Sequence, residues 1–590
     1  MLDGYIKINN DGGECSAVLN AIRSGIPSAV FGINFAEKCR LAASLDAPVL
    51  YIVKDGLYAA SARDEISAMT GEEVVYLPPK DDVLLYKNSF DKTALYARLS
   101  ALYRIMRGAR IVVATFESLL QLFPKELPRI SVQKGGTYDL YDLAEKLVKI
   151  GYKRRDFADG KGTFAIRGDI FEVFPINEEK VYRVDFFGDE AESVRRYDPD
   201  EKDQKEDADG FTAVCATDVL IAEDEKPSII SAIRHSVEKF RNAESCEQAR
   251  ITAGEIIEKL DENATDDCLQ FIMPLIENAT DDLLSFMPDD TIVVYDECKM
   301  LAENLSAITR EHGERFLSLS KNGRAMDFTF RQIGNGEKLT ARLAEKRNAA
   351  FQTLTSSVKF FDPLKTFSIK CSKIARYPSD RAALYTDLTN WKFGGYKILI
   401  CCGNAKRAET LYDETVTAKV FTVKSDTAEL VNGGALVTTY YLPEGFVDHS
   451  EKLVVIGTGD LYLGIREEKR IKRRRGDVFQ APEVGDFAVH EVHGVGYVRG
   501  MKNHSGTSIA VHRIADGKSE ATEFHVTKDT PNTGVPLKKI KLKKNVLIAS
   551  ILHLSQCIIP NGDSVFEPGD TVIVVSDSDK AISKPSDIFE

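Results

Sequence analysis

The sequence predicts a multidomain α/β protein, and three observations carry that reading. At 590 residues the chain exceeds what one hydrophobic core serves, so roughly four or five domains are expected. Helical and strand signals alternate twice, from about Ile26 to Lys125 and again from about Ile374 to Gly464, the rhythm of two α/β domains with parallel strands. Between them a β-rich run, Gly162–Asp198, breaks the alternation and marks an inserted module. The expected order is a first α/β domain (1–130) interrupted by a β-rich module (131–217) and resumed over 218–325. A connector (326–373), a second α/β domain (374–465), a basic linker (466–483), a truncated small β-barrel hairpin (484–496) and a C-terminal α+β domain (497–590) follow.

Composition excludes several classes. With 43% hydrophobic and 28% charged residues the chain reads as an ordinary soluble globular protein. A net charge of -13 argues against holding DNA by electrostatics alone and favours protein partners, with DNA reached only indirectly. The start, MLDGYIKINNDGGECS, lacks a charged n-region followed by an apolar core, and no apolar run approaches about 18 residues, so a cytoplasmic protein without membrane insertion is expected. Ten cysteines include no C-x-x-C pair, which points to buried free thiols, Cys401-Cys402 among them, rather than a zinc ribbon or disulfide framework.

In the first α/β domain the expected elements are a helix around Ala36–Leu45, a strand Val49–Val53, a helix Ala59–Met69, a strand Val74–Leu77, a helix Asp91–Met106 and a strand Arg110–Ala114 running into a helix cap at Thr115. A phosphate-binding loop would need G-x-x-x-x-G-K-[ST]; Pro27–Lys38 (PSAVFGINFAEK) has one glycine and a lysine that does not follow it. Gly517-Lys518-Ser519 fails in turn, because His512 stands where the first glycine belongs. No nucleotide or other cofactor is therefore expected, and no residue reads as catalytic. Strand Thr291–Tyr295 ends in Asp296-Glu297, a pair that holds Mg²⁺ in motor ATPases but is read here as structural, since the phosphate loop is missing.

In the inserted module a helix Leu140–Ile150 precedes two β-rich runs, Thr163–Pro175 and Val181–Gly188, separated by a polar gap of hairpin size. Alternation in the second run places Tyr182, Val184 and Phe186 on one face and Arg183, Asp185 and Phe187 on the other. The apolar parity of the first run switches at Gly168, which suggests a bulge that re-aims Arg167. Spacing alone favours an ordinary solvated sheet surface here, since Arg and Asp on an outer face need no partner. The acidic stretch Asp198–Gly210 reads as a solvated loop, and 226–287 as helical throughout, with Asn263 and Asn278 opening two helix-capping turns.

In the second α/β domain the expected strands are Lys397–Cys401, Lys419–Val423, Gly434–Thr438 and Leu453–Ile456, with a helix Ala405–Glu414. Gly457-Thr458-Gly459 lacks the third glycine of a dinucleotide turn, Tyr462 standing in its place. Arg466–Arg475 (REEKRIKRRR) is read as a linker. His490 and His493 lie three apart on a strand and so point to opposite faces, which argues against a metal site. The tail reads as strand Glu523–Thr527, short helix Pro536–Ile540, strand Val546–Leu552, a turn at Pro560 and strand Thr571–Val575.

The run IRGDIFEVFPI…YRVDFFGDEAESVRRYDP resembles the adaptor module shared by UvrB and the bacterial transcription-repair coupling factors. That resemblance implies a surface that docks on UvrA, with Arg167, Arg183 and Phe187 at the matching positions, and a UvrB-like first domain. The missing phosphate loop favours the coupling factors over UvrB. Gly485–Gly496 resembles the opening hairpin of the RNA-polymerase-interacting domain of coupling factors and CarD-like regulators; because the rest of that barrel is not read, polymerase binding is expected to be weak or lost. The segments TEFHVTKDTPNTGVPLKKIKLKKNVLIASI and IIPNGDSVFEPGDTVIVV resemble the RCK C-terminal domain of TrkA-type potassium-transport regulators, which implies a homodimer through the tail. Neither the translocase of coupling factors nor the nucleotide-binding half of TrkA is read in this sequence. The resemblances together imply a non-catalytic adaptor of transcription-coupled nucleotide excision repair; the alternative is a potassium-transport regulatory or ligand-sensing protein.

Overall fold

The computed structural model describes residues 2–8, 13–80, 84, 92–201, 204–262 and 267–462, and in the C-terminal part 487–490, 494–497, 508–514, 519–526, 530–543, 546–553, 556–558, 560–577 and 588–589. The chain divides into two compact units, Met1–Arg475 and Gly476–Glu590.

The larger unit begins with strands β1 (Ser28–Phe31), β2 (Val49–Val53), β3 (Val75–Leu77) and β4 (Ile111–Thr115), with helices α1 (Phe35–Ala43) and α2 (Gly56–Thr70) among them. The run VLYIV is buried at every position, as a parallel strand covered on both faces requires. Helix starts are set by side chains: Asn34 accepts from Glu37 N–H, Asp55 from Tyr58 N–H, and Thr115 forms a capping box with Ser118.

The chain then leaves this sheet to build the inserted module, a six-stranded sheet of β5 (Lys153–Arg154), β6 (Thr163–Arg167), β7 (Ile170–Phe174), β8 (Val181–Phe187), β9 (Glu190–Tyr197) and β10 (Lys205–Asp207), in spatial order β10-β9-β8-β7-β6-β5. The bulge expected at Gly168 is instead a chain reversal: Gly168-Asp169 is a two-residue turn joining β6 to β7, with Arg167 paired to Ile170 and Gly168 at φ +61°. The parity switch has that cause, because the strand ends and a new one starts. Gly188-Asp189, with Gly188 at φ +60°, repeats the device between β8 and β9. A glycine at positive φ in the first turn position matches the right-handed twist of the flanking strands. One face of the sheet, carrying Phe164, Phe171, Val173, Tyr182, Val184, Phe186 and Val194, merges with the core of the first domain.

Residues 226–287, expected to be helical throughout, include helices Lys226–Glu238 and Ala243–Glu262 and 3₁₀ turns, but Ala279–Thr280 pairs with Phe123–Pro124 as a short antiparallel ribbon. Asp282 caps the 3₁₀ turn Leu283–Phe286, and the first proposed capping turn at Asn263 lies outside the described residues. The chain then returns to the first sheet with β11 (Ile292–Asp296), β12 (Arg347–Gln352) and β13 (Lys365–Ser368). The completed order is β13-β1-β12-β11-β2-β4-β3, with every pairing parallel. Two of these strands come from the stretch expected to be a connector with helical pieces. RNAAFQ gives a weak strand signal because it has no β-branched residue, yet β12 occupies the middle of the sheet and is buried from Asn348 to Gln352.

The second α/β domain contains β14 (Cys371–Lys373), α3 (Arg381–Phe393), β15 (Lys397–Cys401), α4 (Ala405–Thr417), β16 (Val423–Lys424), β17 (Ala435–Thr438), β18 (Phe446–Asp448) and β19 (Leu453–Ile456). Its sheet runs β14-β18-β19-β15-β17-β16. The strand expected from Lys419 begins only at Val423, because Lys419 sits at φ +57°, outside the extended region. Leu399, Leu436, Phe446 and Val455 share a core with Val30, Leu41 and Tyr51 of the first domain, so the two α/β domains pack as one body. Arg40 locks that junction: its guanidinium lies 3.1 Å from Glu37, 3.3 Å from Asp448 and 2.7 Å from Glu451.

In the smaller unit, strands 487–490 and 494–497 pair antiparallel; His493, and in the larger unit the basic stretch 466–475, lie outside the described residues. A five-stranded antiparallel sheet follows, in the order Ser508–Ile514, Ser519–His525, Thr571–Asp577, Val546–His553, Gln556–Ile558. Leu537–Lys539 is a 3₁₀ turn where a short helix is expected. Phe524, Ile548, Ile551, Phe566, Val572 and Val574 make its core, while Leu547, in the nearly all-apolar strand expected over Val546–Leu552, is 62% exposed.

Candidate partner-binding face

The outer face of the inserted sheet is built by strand register. Ala165, Glu172, Arg183, Arg195 and Asp207 stand opposite one another on five successive strands, and Arg167, Ile170, Asp185 and Ser193 form the next row. Phe187 follows on β8, at the lip of the Gly188-Asp189 turn, and is 79% exposed. That turn lies next to the other one, since Phe186 N–H donates to Asp169 O at 2.8 Å. Arg167, Arg183 and Phe187 are thus on one face, as the alternation of β8 requires.

Two carboxylates fix the guanidiniums. Glu172, buried in the middle of β7, accepts from Arg167 Nη2 at 2.5 Å and from the Tyr197 hydroxyl at 3.3 Å, and lies 3.9 Å from Arg183 Nη1. Asp185 accepts from Arg183 Nε at 3.0 Å, from Ser193 at 2.8 Å and from Arg195. Burial alone would raise Asp185, but those hydrogen bonds outweigh it and hold its pKa below the ordinary carboxylate range. Arg167 also stacks over Phe157, 4.6 Å from the ring centre. Asp207 ends the same row, so the charges balance; what the face offers is three guanidiniums held in place before any partner arrives, with an aromatic ring presented beside them.

The place where a phosphate loop would sit is occupied by the chain's own groups. Phe31 O and Gly32 O accept from the N–H groups of Ile369 (2.9 Å) and Cys371 (3.3 Å), so the loop after β1 is paired along its backbone. Gly32 is at φ +80°, and a Cβ there would lie 2.3 Å from Ile369 O. Lys38 is 2% exposed and places Nζ 2.6 Å from both Asp296 and Glu297. The hydroxyls of Tyr51 and Tyr58 donate to the other Asp296 oxygen at 2.5 and 2.7 Å. Burial disfavours charge on Lys38, but the two carboxylates outweigh it and raise its pKa. Gly457-Thr458-Gly459 is likewise committed: Thr458 and Gly459 N–H donate to Leu442 O and Pro443 O, and Gly457 N–H to Asp460. Cys15, Asp448 and Glu451 gather donor atoms within 4.8 Å, but both carboxylates are already paired with Arg40 and burial pushes the Cys15 thiol up.

The span that builds this face can be compared with known families. Residues 130–219 match the UvrB interaction domain. At the other end, residues 521–583 match the TrkA-C domain. Over longer stretches the chain is similar to transcription-repair-coupling factors. It is 22% identical to that of Bacillus subtilis over 520 residues, 84% of this chain and 44% of the relative. The match to that of Myxococcus xanthus is 24% over 525 residues, 82% and 43%, and to that of Staphylococcus epidermidis 23% over 531 residues, 85% and 44%. The chain therefore spans less than half the length of the curated relatives it matches. Within the UvrB interaction domain the sequence singled out three residues and missed Glu172 and Arg195, the carboxylate and guanidinium that complete the array. A lone acid inside the apolar run IFEVF was the available signal for Glu172.

Proposed function

We propose that this chain is a non-catalytic adaptor of transcription-coupled nucleotide excision repair that recruits UvrA through the outer face of its UvrB interaction domain. The observation that carries this is the held array of Arg167, Arg183 and Arg195 beside exposed Phe187, inside the span that matches that domain. Similarity to coupling factors over more than four-fifths of the chain supports the repair setting. The non-catalytic reading rests on Lys38, Asp296 and Glu297 being spent on one another. Arginine and aromatic side chains are the usual anchors of protein interfaces, and truncating one partner of a desolvated charged contact costs about 2–5 kcal/mol. Arg183→Ala should therefore weaken capture of UvrA by well over tenfold with circular dichroism unchanged. Equal capture by mutant and parent would sink the assignment. Among the described residues strands 487–490 and 494–497 pair only with each other, and a two-stranded ribbon is marginal in water, so at most weak polymerase contact is expected. The match of residues 521–583 to the TrkA-C domain favours a second reading, potassium-transport regulation or ligand sensing by the tail. Saturable binding of a small ligand to the tail with no UvrA binding would favour it.

A further inference from the structure

The second α/β domain has a crevice at the carboxyl end of β15 that none of the preceding functions uses. It encloses about 630 Å³ and is lined by Arg381, Asn404, Lys406, Arg407, Thr410 and Tyr462. Its place in the topology is distinctive. β15 pairs in parallel with β17 on one side and β19 on the other, and the chain leaving β15 passes through α4 to β16 and β17 before crossing to β19. In an open parallel sheet such a reversal opens a gap beyond the strand ends, where ligands bind.

Cations outnumber acids around the gap. α4 starts there, with the Asn404 side chain accepting Arg407 N–H at 2.9 Å. α3 starts at the same end, because only Gly394, Gly395 and Tyr396 separate its last residue from β15. Both thirteen-residue helices thus start at the crevice; the positive end of α3 is capped by the Asp380 carboxylate, whereas α4, capped by neutral Asn404, keeps its own. Arg381 and Arg407 flank the Tyr462 ring, their Cζ atoms 5.1 and 5.3 Å from its centre. Two acids lie near them: Asp380, which accepts Ala383 N–H at the start of α3, and Glu414, which lies 3.5 Å from Arg381 Nε and accepts from Tyr385. Among the described residues Lys406 and Arg407 have no carboxylate partner, and Arg381 Nη1 is shut off from solvent without a hydrogen-bond partner. An arginine nitrogen that has lost water and gained nothing is costly unless a ligand supplies the acceptor.

We propose that this crevice binds a small phosphate-bearing anion, a phosphomonoester or a diphosphate, held by Arg381, Lys406, Arg407 and the start of α4. Planar guanidiniums and helix N–H groups match phosphate oxygens in geometry and charge. A small anion fits better than a nucleic-acid backbone because the chain as a whole carries -13 and repels a polyanion. The site is independent of the UvrA reading. The test is calorimetric titration of pyrophosphate into the full chain at fixed ionic strength in chloride buffer. One saturable site per chain is expected, weakened at least tenfold by Arg407→Gln and several-fold by Lys406→Gln, with unfolding temperatures unchanged in the absence of pyrophosphate. Lys424→Gln, on β16 and paired with Glu409, should bind as the parent does. Absence of saturable binding, or equal affinity in the parent and both crevice variants, would overturn the site. A single-stranded oligonucleotide that binds more tightly than pyrophosphate and depends on the same residues would overturn the small-anion occupant.

Discussion

Replacing Lys38 by methionine is expected to destabilise the first domain strongly while leaving the partner-binding face untouched. Lys38 Nζ stands 2.6 Å from Asp296 and from Glu297, and both Lys38 and Asp296 are at most 3% exposed at the side chain. Removing the cation leaves Asp296 with the Tyr51 and Tyr58 hydroxyls but no counter-charge, whereas Glu297, 29% exposed, can turn to water. Breaking a buried pair from one side costs about 3–5 kcal/mol, and the two remaining donors place this case near the lower end, about 3 kcal/mol. With a urea dependence of about 1–3 kcal/mol/M, the midpoint should fall by roughly 1–3 M, read by pulse proteolysis of the full chain. Lys38→Met combined with Asp296→Asn should recover most of the loss, because the uncompensated charge is gone. A single variant within about 0.5 kcal/mol of the parent, or a double variant no better than the single, would refute the reasoning.

Three further outcomes are expected. Since the Lys38 amine is committed to carboxylates, millimolar Mg-ATP should not raise the unfolding temperature of the first domain, and a saturable rise would contradict that. Burial raises the Glu37 pKa from the ordinary 4.5 of a free side chain to about 7 against the pull of Arg40. Its contribution to stability is then fully present below about 4.5 and is lost as pH rises toward 7, so Glu37→Gln should flatten that fall, and an unchanged pH–stability slope would refute the assignment. Leu547 and Ile573 are 62% and 36% exposed on the tail sheet, so light scattering should find the chain a dimer that Leu547→Lys returns to monomer, and a monomeric parent would exclude this interface.

What was legible in the sequence followed local chemistry. VLYIV and KILIC announce buried parallel strands by unbroken apolar runs, and both occupy the residues expected. The outer face of β8 was legible for the same reason, since period-two alternation places Arg183, Asp185 and Phe187 together without knowledge of the neighbours. Elements whose identity depends on distant partners were not. β12 is a strand because β1 and β11 lie on either side of it, not because Asn348, Ala349 and Ala350 favour one. Gly168 looked like a bulge because a bulge and a two-residue reversal both switch parity; only the pairing of Arg167 with Ile170 separates them. The role of Lys38 was hidden because Asp296 and Glu297 lie more than 250 positions away in the chain.

The most direct test of the central claim is the dissociation constant of purified UvrA for the full chain and for Phe187→Ala, with Phe393→Ala as the control. Phe187 is 79% exposed and Phe393 90%, so neither substitution removes core packing. If the outer face of the UvrB interaction domain is the docking surface, Phe187→Ala weakens binding at least tenfold, about 1.4 kcal/mol or more, and Phe393→Ala leaves it unchanged. Equal dissociation constants for the parent and Phe187→Ala would contradict the account.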